Sequence, residues 1–313
     1  MTVRIAVDPW DPSYGSALNE TALEESTATL TLDLETPPAT WTPMSAPSDS
    51  WHPNELLIVD GVRRIDARVW LTPSGQSVPT LGVAASYAAG VVRIDGRACI
   101  EEMRYDRGLY TSCADAEDLV TILAAYPVRH TAGSEYDDLV LAVQGHMREL
   151  EVAAASASRS SADDLLVVDG PLRGRTSIPR TIGYIKSHQA AYLPAELNAV
   201  VAALAPGQRT PAFSIGTTWS RHTWYLKLPV VSASPWAGII RCEASDSLSK
   251  AEVVDLANAS TLVLPPLASQ AHKDPRAPQN LIPIGGLEKA LRHRLGDPVK
   301  LHRSLSKYAA TIR

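Results

Sequence analysis

The sequence predicts an α/β fold, a mixed sheet flanked by helices, with an N-terminal arm and a basic helical tail. Three observations carry that prediction. Two nearly identical phrases, Leu56-Leu-Ile-Val-Asp-Gly61 and Leu165-Leu-Val-Val-Asp-Gly170, each run four large apolar residues into an aspartate, the pattern of a strand buried on both faces. Between them lie alternating segments with hairpin turn signals. A long stretch, Asp137–Ala157, places Leu139, Val140, Val143, Met147, Leu150 and Ala154 at the three-and-four spacing of an amphipathic helix.

In chain order, the first fifty residues are polar and rich in Pro, Ser and Thr, with Trp next to or near Pro at Pro9-Trp10, Trp41-Thr-Pro43 and Trp51-His-Pro53. Ala28–Leu34 alternates with period two and reads as a half-buried strand. Residues 1–54 are therefore expected to form an arm packed on a core of residues 55–313. Leu56–Asp60 is expected to end at Asp-Gly, with Val62–Leu71 returning as its hairpin partner, where Ile65, Ala67, Val69 and Leu71 share a face. Ser86–Ile94 and Arg97–Met103 flank Asp95-Gly96 and read as a second hairpin, since Asp-Gly suits the tight turns that match strand twist.

Helices are expected over Ala114–Ala125 and Asp137–Ala157. After the second Asp-Gly phrase, Arg180–His188 reads as a strand with Ile182, Tyr184 and Lys186 on one face, followed by a helix over Ala195–Leu204. Ile215–Trp224, Tyr225–Val231 and Gly238–Glu243 supply further strands, and Pro265–Pro283 a proline-punctuated loop. From Gly286 onward the tail is helical, and Lys and Arg outnumber Asp and Glu.

Composition bounds the function. The chain of 313 residues is 45% hydrophobic and 20% charged with net charge −5, ordinary values for a globular protein. With a pI of about 5.9, any nucleic-acid contact must come from a local basic patch. Cys99, Cys113 and Cys242 form no ligand-spaced pair, and their odd number speaks against a disulfide framework. They are expected to be reduced thiols of a cytoplasmic protein. No apolar run approaches the length of a membrane span, and no secretion signal is read at the N-terminus.

The chemistry centres on the strand-end acids. Asp60 and Asp169 are expected at one rim of one sheet, where paired carboxylates can hold a divalent cation. Glu151, beside the apolar stripe of its helix, can point inward, whereas Glu149 points to the opposite side. Arg173 and Arg175, just past the second acid, could hold phosphates. Hard cations such as Mg²⁺ or Mn²⁺ suit carboxylate oxygens, and no His/Cys cluster suggests zinc. Asp66, Glu101 and Glu102 read as solvent-facing strand charges, and Glu243 as a structural partner of Arg241 or a neighbour. Trp219, Trp224 and Trp236 read as packing residues, with base stacking as the alternative. No Gly-rich phosphate loop is present to support a nucleotide-binding enzyme.

Hairpins, helices and then a second acid-bearing strand are compatible with a ribonuclease H-like sheet. In that order Ile58-Val-Asp-Gly61, Leu165–Leu172, Ile182-Gly-Tyr-Ile-Lys-Ser187, Trp236–Glu243 and Pro278-Gln-Asn-Leu-Ile-Pro283 resemble the NurA nucleases of prokaryotic DNA-end processing. The resemblance implies a manganese- or magnesium-dependent deoxyribonuclease, working as a homodimer on DNA with a HerA-type hexameric ATPase. It assigns Asp60, Asp169 and Glu151 as metal ligands and Lys186 as the basic catalytic residue, in contact with DNA. One departure stands out. Where the family offers an Asp or His on a helix after its Pro segment, Ile284-Gly-Gly-Leu-Glu-Lys289 has none in the expected place. Either Glu288 or a nearby His substitutes, or the site is incomplete and the chain is an inactive, adaptor-like member.

Overall fold

A computed structural model describes residues 28–73, 77–188, 192–230, 232, 234 and 236–311. The expected Pro9-Trp10 segment of the arm lies outside the described residues. Twelve strands and five α-helices occur among them, and ten of the strands form one sheet in the order β1-β10-β11-β12-β9-β8-β2-β3-β4-β7. The fold is a mixed α/β sheet flanked by helices, as the sequence predicts. Its contacts divide the chain into one unit of residues 1–58, 93–98 and 159–285 and a second of 59–92, 99–158 and 286–313.

In the first unit, β1 (Thr29–Thr31), β10 (Phe213–Gly216), β11 (Ser220–Lys227), β12 (Ile239–Ser245) and β9 (Thr181–Ile185) pair antiparallel in succession, and β8 (Leu165–Asp169) joins β9 in parallel. Alternation sorts the side chains. Leu56, Ile58, Leu165, Val167, Ile182, Tyr184, Trp224 and Ile240 meet α3 (Lys250–Val263) on one face. Phe213, Ile215, Tyr225 and Ile239 meet Trp41 and α2 (Ala195–Ala202) on the other. Helix α3 carries a capping box, Ser249 with Glu252, which satisfies two backbone donors of its first turn. The sequence reading passed over this helix. The Pro265–Pro283 stretch is mostly loop, though α4 (Ile282–Arg294) begins inside it. Glu35 of the arm accepts from both terminal nitrogens of the buried Arg209, at 2.8 Å each.

The second unit is built on β2 (Leu56–Leu71), β3 (Thr80–Asp95) and β4 (Arg97–Thr111). With Gly96 alone between them, at φ 65°, β3 and β4 turn back on one another as the Asp-Gly signal requires. Strand β3 is buried without interruption from Val83 to Val92. Val83, Ala85 and Tyr87 face α1 (Tyr136–Ser158), while Ala84 packs with Ala67, Leu109, Tyr126 and Leu305 of α5 (Pro298–Thr311). Gly90 permits the approach of α4, since a Cβ there would lie 3.0 Å from Leu287.

Three local expectations are corrected. Asp60-Gly61 is not a turn; β2 runs through it as one strand of 16 residues, because Gly61 is followed by an apolar Val that the sheet buries. The predicted helix over 114–125 is instead β5 (Leu119–Val120) and β6 (Ala125–Tyr126). Thr121 closes that turn by donating to the Ala124 carbonyl and accepting its N–H, a side-chain competition that helices of this length lose readily. Asp66 is buried rather than solvent-facing and accepts from Arg64, Ser86 and Tyr126.

The order β2-β3-β4, then α1, then β8 returning beside β2, is the ribonuclease H-like arrangement read from the sequence. The parallel β7 (Val128–His130) extends it beyond β4. No described helix is long and apolar enough to cross a membrane.

Candidate metal centre

Strand register places the two aspartates. The Leu165 N–H donates to the Glu55 carbonyl at 3.0 Å, so the starts of two neighbouring strands lie together and the strands run in the same direction. In a parallel ladder that bond sets Leu165 opposite Leu56. Each aspartate lies four residues further along, an even step, so both remain on the face that collects Leu56, Ile58, Leu165 and Val167.

Gly170 takes φ 102°, a region open to glycine and closed to ordinary side chains, and Pro171 follows. Asp169 thus ends its strand, whereas Asp60 lies within one. Its Oδ1 accepts the N–H of Gly61 at 2.7 Å.

The acids that could serve as ligands of a metal ion are Asp169 in the first unit and Asp60 and Glu288 in the second. Glu288 stands on α4 one turn after the buried Ile284 and beside the buried Leu287, which directs it inward. The donor chemistry fits a hard divalent cation, because all three ligands are oxygens. Asp169 supplies a further sign of fit. Its Oδ1 is buried without a hydrogen-bond partner among the described residues, an arrangement that costs free energy unless something satisfies it.

Its other oxygen is engaged. Lys186 donates from Nζ to Asp169 Oδ2 at 2.5 Å and to Asn280 Oδ1 at 2.8 Å. Asn280 in turn donates to Asp274 Oδ2 at 2.6 Å. Lys186 is therefore held at the acid by two further polar residues, Asn280 and Asp274. Asn280 is fully buried and was missed in the sequence reading; an Asn between Pro278 and Pro283, followed by Leu281 and Ile282, was the available signal.

Glu151 is buried at 2% exposure in α1, as its position beside the apolar stripe predicts. A Cβ on Gly61 would lie 2.5 Å from Glu151 Oε1 and 3.0 Å from Met147 Cγ, so glycine lets this carboxylate close over β2 next to Asp60. Glu151 is not among those three candidate ligands. Arg173 is exposed on the loop after β8, while Arg175 is buried and donates from Nη1 to the Pro171 carbonyl at 2.8 Å. Tyr184, on the same face as Lys186, donates to the Gln279 carbonyl at 2.6 Å, and its burial raises the phenol's pKa.

On the other face of the same strands, Glu243 is set against two arginines. Its Oε1 accepts from Arg221 Nε at 2.7 Å and Arg241 Nη1 at 2.8 Å, and its Oε2 accepts the Leu172 N–H at 3.1 Å. The expected pairing with Arg241 is present, and Arg221 joins it. His188 lies nearby, and burial lowers its pKa to about 4, with the Arg241 charge acting in the same direction against a hydrogen bond to the Ile239 carbonyl. It is neutral at pH 7.

No family model matches the chain, and no curated protein matches it. Among solved structures, it is similar at 9% identity and a TM-score of 0.29 to Marinitoga piezophila Argonaute in complex with 5′ OH guide RNA and target DNA. That likeness covers 80% of this chain and 32% of the Argonaute chain, so this chain spans about a third of its length.

Proposed function

We propose that the protein is a divalent-metal-dependent deoxyribonuclease of the NurA kind, hydrolysing phosphodiesters at DNA ends or in single-stranded DNA. In this reading it acts as a homodimer with a HerA-type hexameric ATPase in DNA-end processing and repair. The observation that carries it is Asp169, which β8 delivers beside Lys186 with its Oδ1 buried and without a hydrogen-bond partner among the described residues; Asp60 ends the matching apolar run, and Glu288 stands on the helix where the resembled family places its last ligand. The cation, Mn²⁺ or Mg²⁺, would lower the pKa of a bound water and offset charge on the phosphate. Asp60, Asp169 and Glu288 would hold it, with Glu151 behind Gly61 as a further carboxylate at the same strand. Lys186, fixed by Asn280, presents an ammonium at the acid's edge, where it can shift from Asp169 to a phosphate oxygen. Arg173, exposed on the adjoining loop, can hold a neighbouring phosphate.

A second reading is a non-catalytic, dimeric adaptor for an ATPase ring or DNA, favoured by the Lys186–Asp169 ion pair, which already neutralises one acid. One experiment separates them. Purified protein is incubated with end-labelled single-stranded DNA and Mn²⁺, beside Asp60→Asn, Asp169→Asn and Glu288→Gln variants, while the midpoint of thermal unfolding is followed with and without Mn²⁺. Degradation and a Mn²⁺-dependent rise in the midpoint, both absent from the Asp169→Asn variant, are expected. A wild-type protein that neither degrades DNA nor gains stability from Mn²⁺ refutes the nuclease reading.

A further inference from the structure

A cavity of about 330 Å³ opens beside Asp169 within the first unit, walled by Lys186, Tyr192, Trp219, Arg221, Arg241 and Glu243. Three cations, Lys186, Arg221 and Arg241, are set there against two carboxylates, Asp169 and Glu243, which leaves one positive charge in excess on a largely buried wall. The side chains of Arg221 and Arg241 are only 5% and 8% exposed, so water does little to offset that excess. His188 also lines the cavity and is neutral at pH 7.

The remaining wall is aromatic. The Arg221 guanidinium lies 4.8 Å from the centre of the Trp219 ring and 5.7 Å from that of Tyr192, and the Arg241 guanidinium lies 5.1 Å from Tyr192. Both rings are half-buried. Guanidinium forks match phosphate oxygens, and aromatic faces take nucleobases of any sequence. The volume falls at the small end of ligand sites, the size of one nucleotide rather than of a duplex.

We propose that this cavity is a nucleotide subsite, in which Arg221 and Arg241 hold a phosphate and Trp219 stacks a base of a single DNA strand next to the acids. The inference deepens the nuclease reading and rests on it for identifying the ligand as part of a DNA strand. Binding of a nucleotide to the cavity, in contrast, requires no metal and no cleavage.

The test uses thymidine 5′-monophosphate and inorganic phosphate as probes, titrated by calorimetry into the full chain in EDTA. Stacking is worth about 1–3 kcal/mol per base, so the nucleotide is expected to bind about 5- to 150-fold tighter than phosphate. Trp219→Leu, a change at a half-buried ring, should abolish that difference while phosphate binding persists. Arg241→Met should weaken both probes by about 10-fold or more, with circular dichroism confirming that it folds. Asp169→Asn, which removes one of the two wall carboxylates, should bind the nucleotide at least as tightly as wild type although it no longer cleaves DNA.

Equal affinity of wild type for the two probes, or unchanged nucleotide affinity in the Trp219→Leu and Arg241→Met proteins, overturns the subsite even if DNA is degraded. Nucleotide binding with these mutational effects in a protein that degrades no DNA supports the subsite and removes the nuclease reading alone.

Discussion

Replacing Glu243 with Gln isolates the electrostatics of the buried arginine pair. The substitution keeps the shape and a hydrogen-bond acceptor but removes the single negative charge that faces Arg221 at 2.7 Å and Arg241 at 2.8 Å. Glu243 itself is 1% exposed, so the guanidiniums cannot recover their hydration without opening the strands. Breaking a buried ion pair by removing one partner costs about 3–5 kcal/mol. For an m-value of about 3 kcal/mol/M, the urea midpoint should fall by about 1–1.7 M. Tryptophan fluorescence is a suitable probe, since Trp224 is buried in the same unit and donates to Ser260 at 3.0 Å.

Adding Arg221→Met to Glu243→Gln provides the cycle. With one guanidinium gone, less uncompensated charge remains, and the double variant should recover about 0.5–3 kcal/mol relative to simple addition. A midpoint shift under about 0.3 M for Glu243→Gln, or strict additivity in the double variant, would show that water already reaches these guanidiniums. Either result would refute the account of a dehydrated wall carrying excess charge.

Two further outcomes follow from the same coordinates. His188 has a folded pKa of about 4 against about 6.5 unfolded. Between those values the unfolded chain binds the extra proton, so its contribution to stability is complete above pH 6.5, is lost as pH falls from about 6.5 to 4, and amounts to about 3 kcal/mol. Urea midpoints of wild type and His188→Phe across that range check this, and an equally steep decline in both would remove His188 as its source. Gly61→Ala should destabilise the second unit by about 1–3 kcal/mol through overpacking, because its Cβ would meet Glu151 Oε1 at 2.5 Å and Met147 Cγ at 3.0 Å; a thermal midpoint within 1 °C of wild type counts against that packing.

What the sequence made legible depended on how local the cause was. The buried strand β8 and the stripe of α1 are written in the side-chain pattern and were read from it, while β2 was read as two strands meeting at Asp60-Gly61 and β3 only from Ser86 to Ile94. The Asp-Gly dipeptide was ambiguous for a physical reason. After β8 it is followed by Pro171 and turns with φ 102° at Gly170; within β2 it is followed by Val62 and stays extended. Glycine permits both conformations, and the next residue together with the available burial decides between them. Helix α3 was missed although its capping box lies in Ser249-Lys-Ala-Glu252. Its Asn258, Ser260 and Thr261 are buried polar residues and blur the apolar stripe that periodicity detects.

The same distinction applies to the candidate centre. Asp60 and Asp169 were legible because an apolar run delivers each of them, and the parallel register sets the two runs level. Glu288 was named only as a substitute for a missing ligand, since its inward direction depends on Ile284 and Leu287 packing one side of α4. Asn280 and Arg221 could not be paired with Lys186 and Glu243 from spacing alone, because their partners are 94 and 22 residues away, whereas Arg241, two residues from Glu243, was read as its partner. Strand pairing brings them together. Lys186 follows Tyr184 on the face that meets the Asn280 loop, whereas Arg241 and Glu243 alternate with Ile240 and Cys242 onto the opposite face. One set of strand ends thus presents carboxylates on one side and guanidiniums on the other, and a strand of DNA reaching the acids around the end of β8 would meet both.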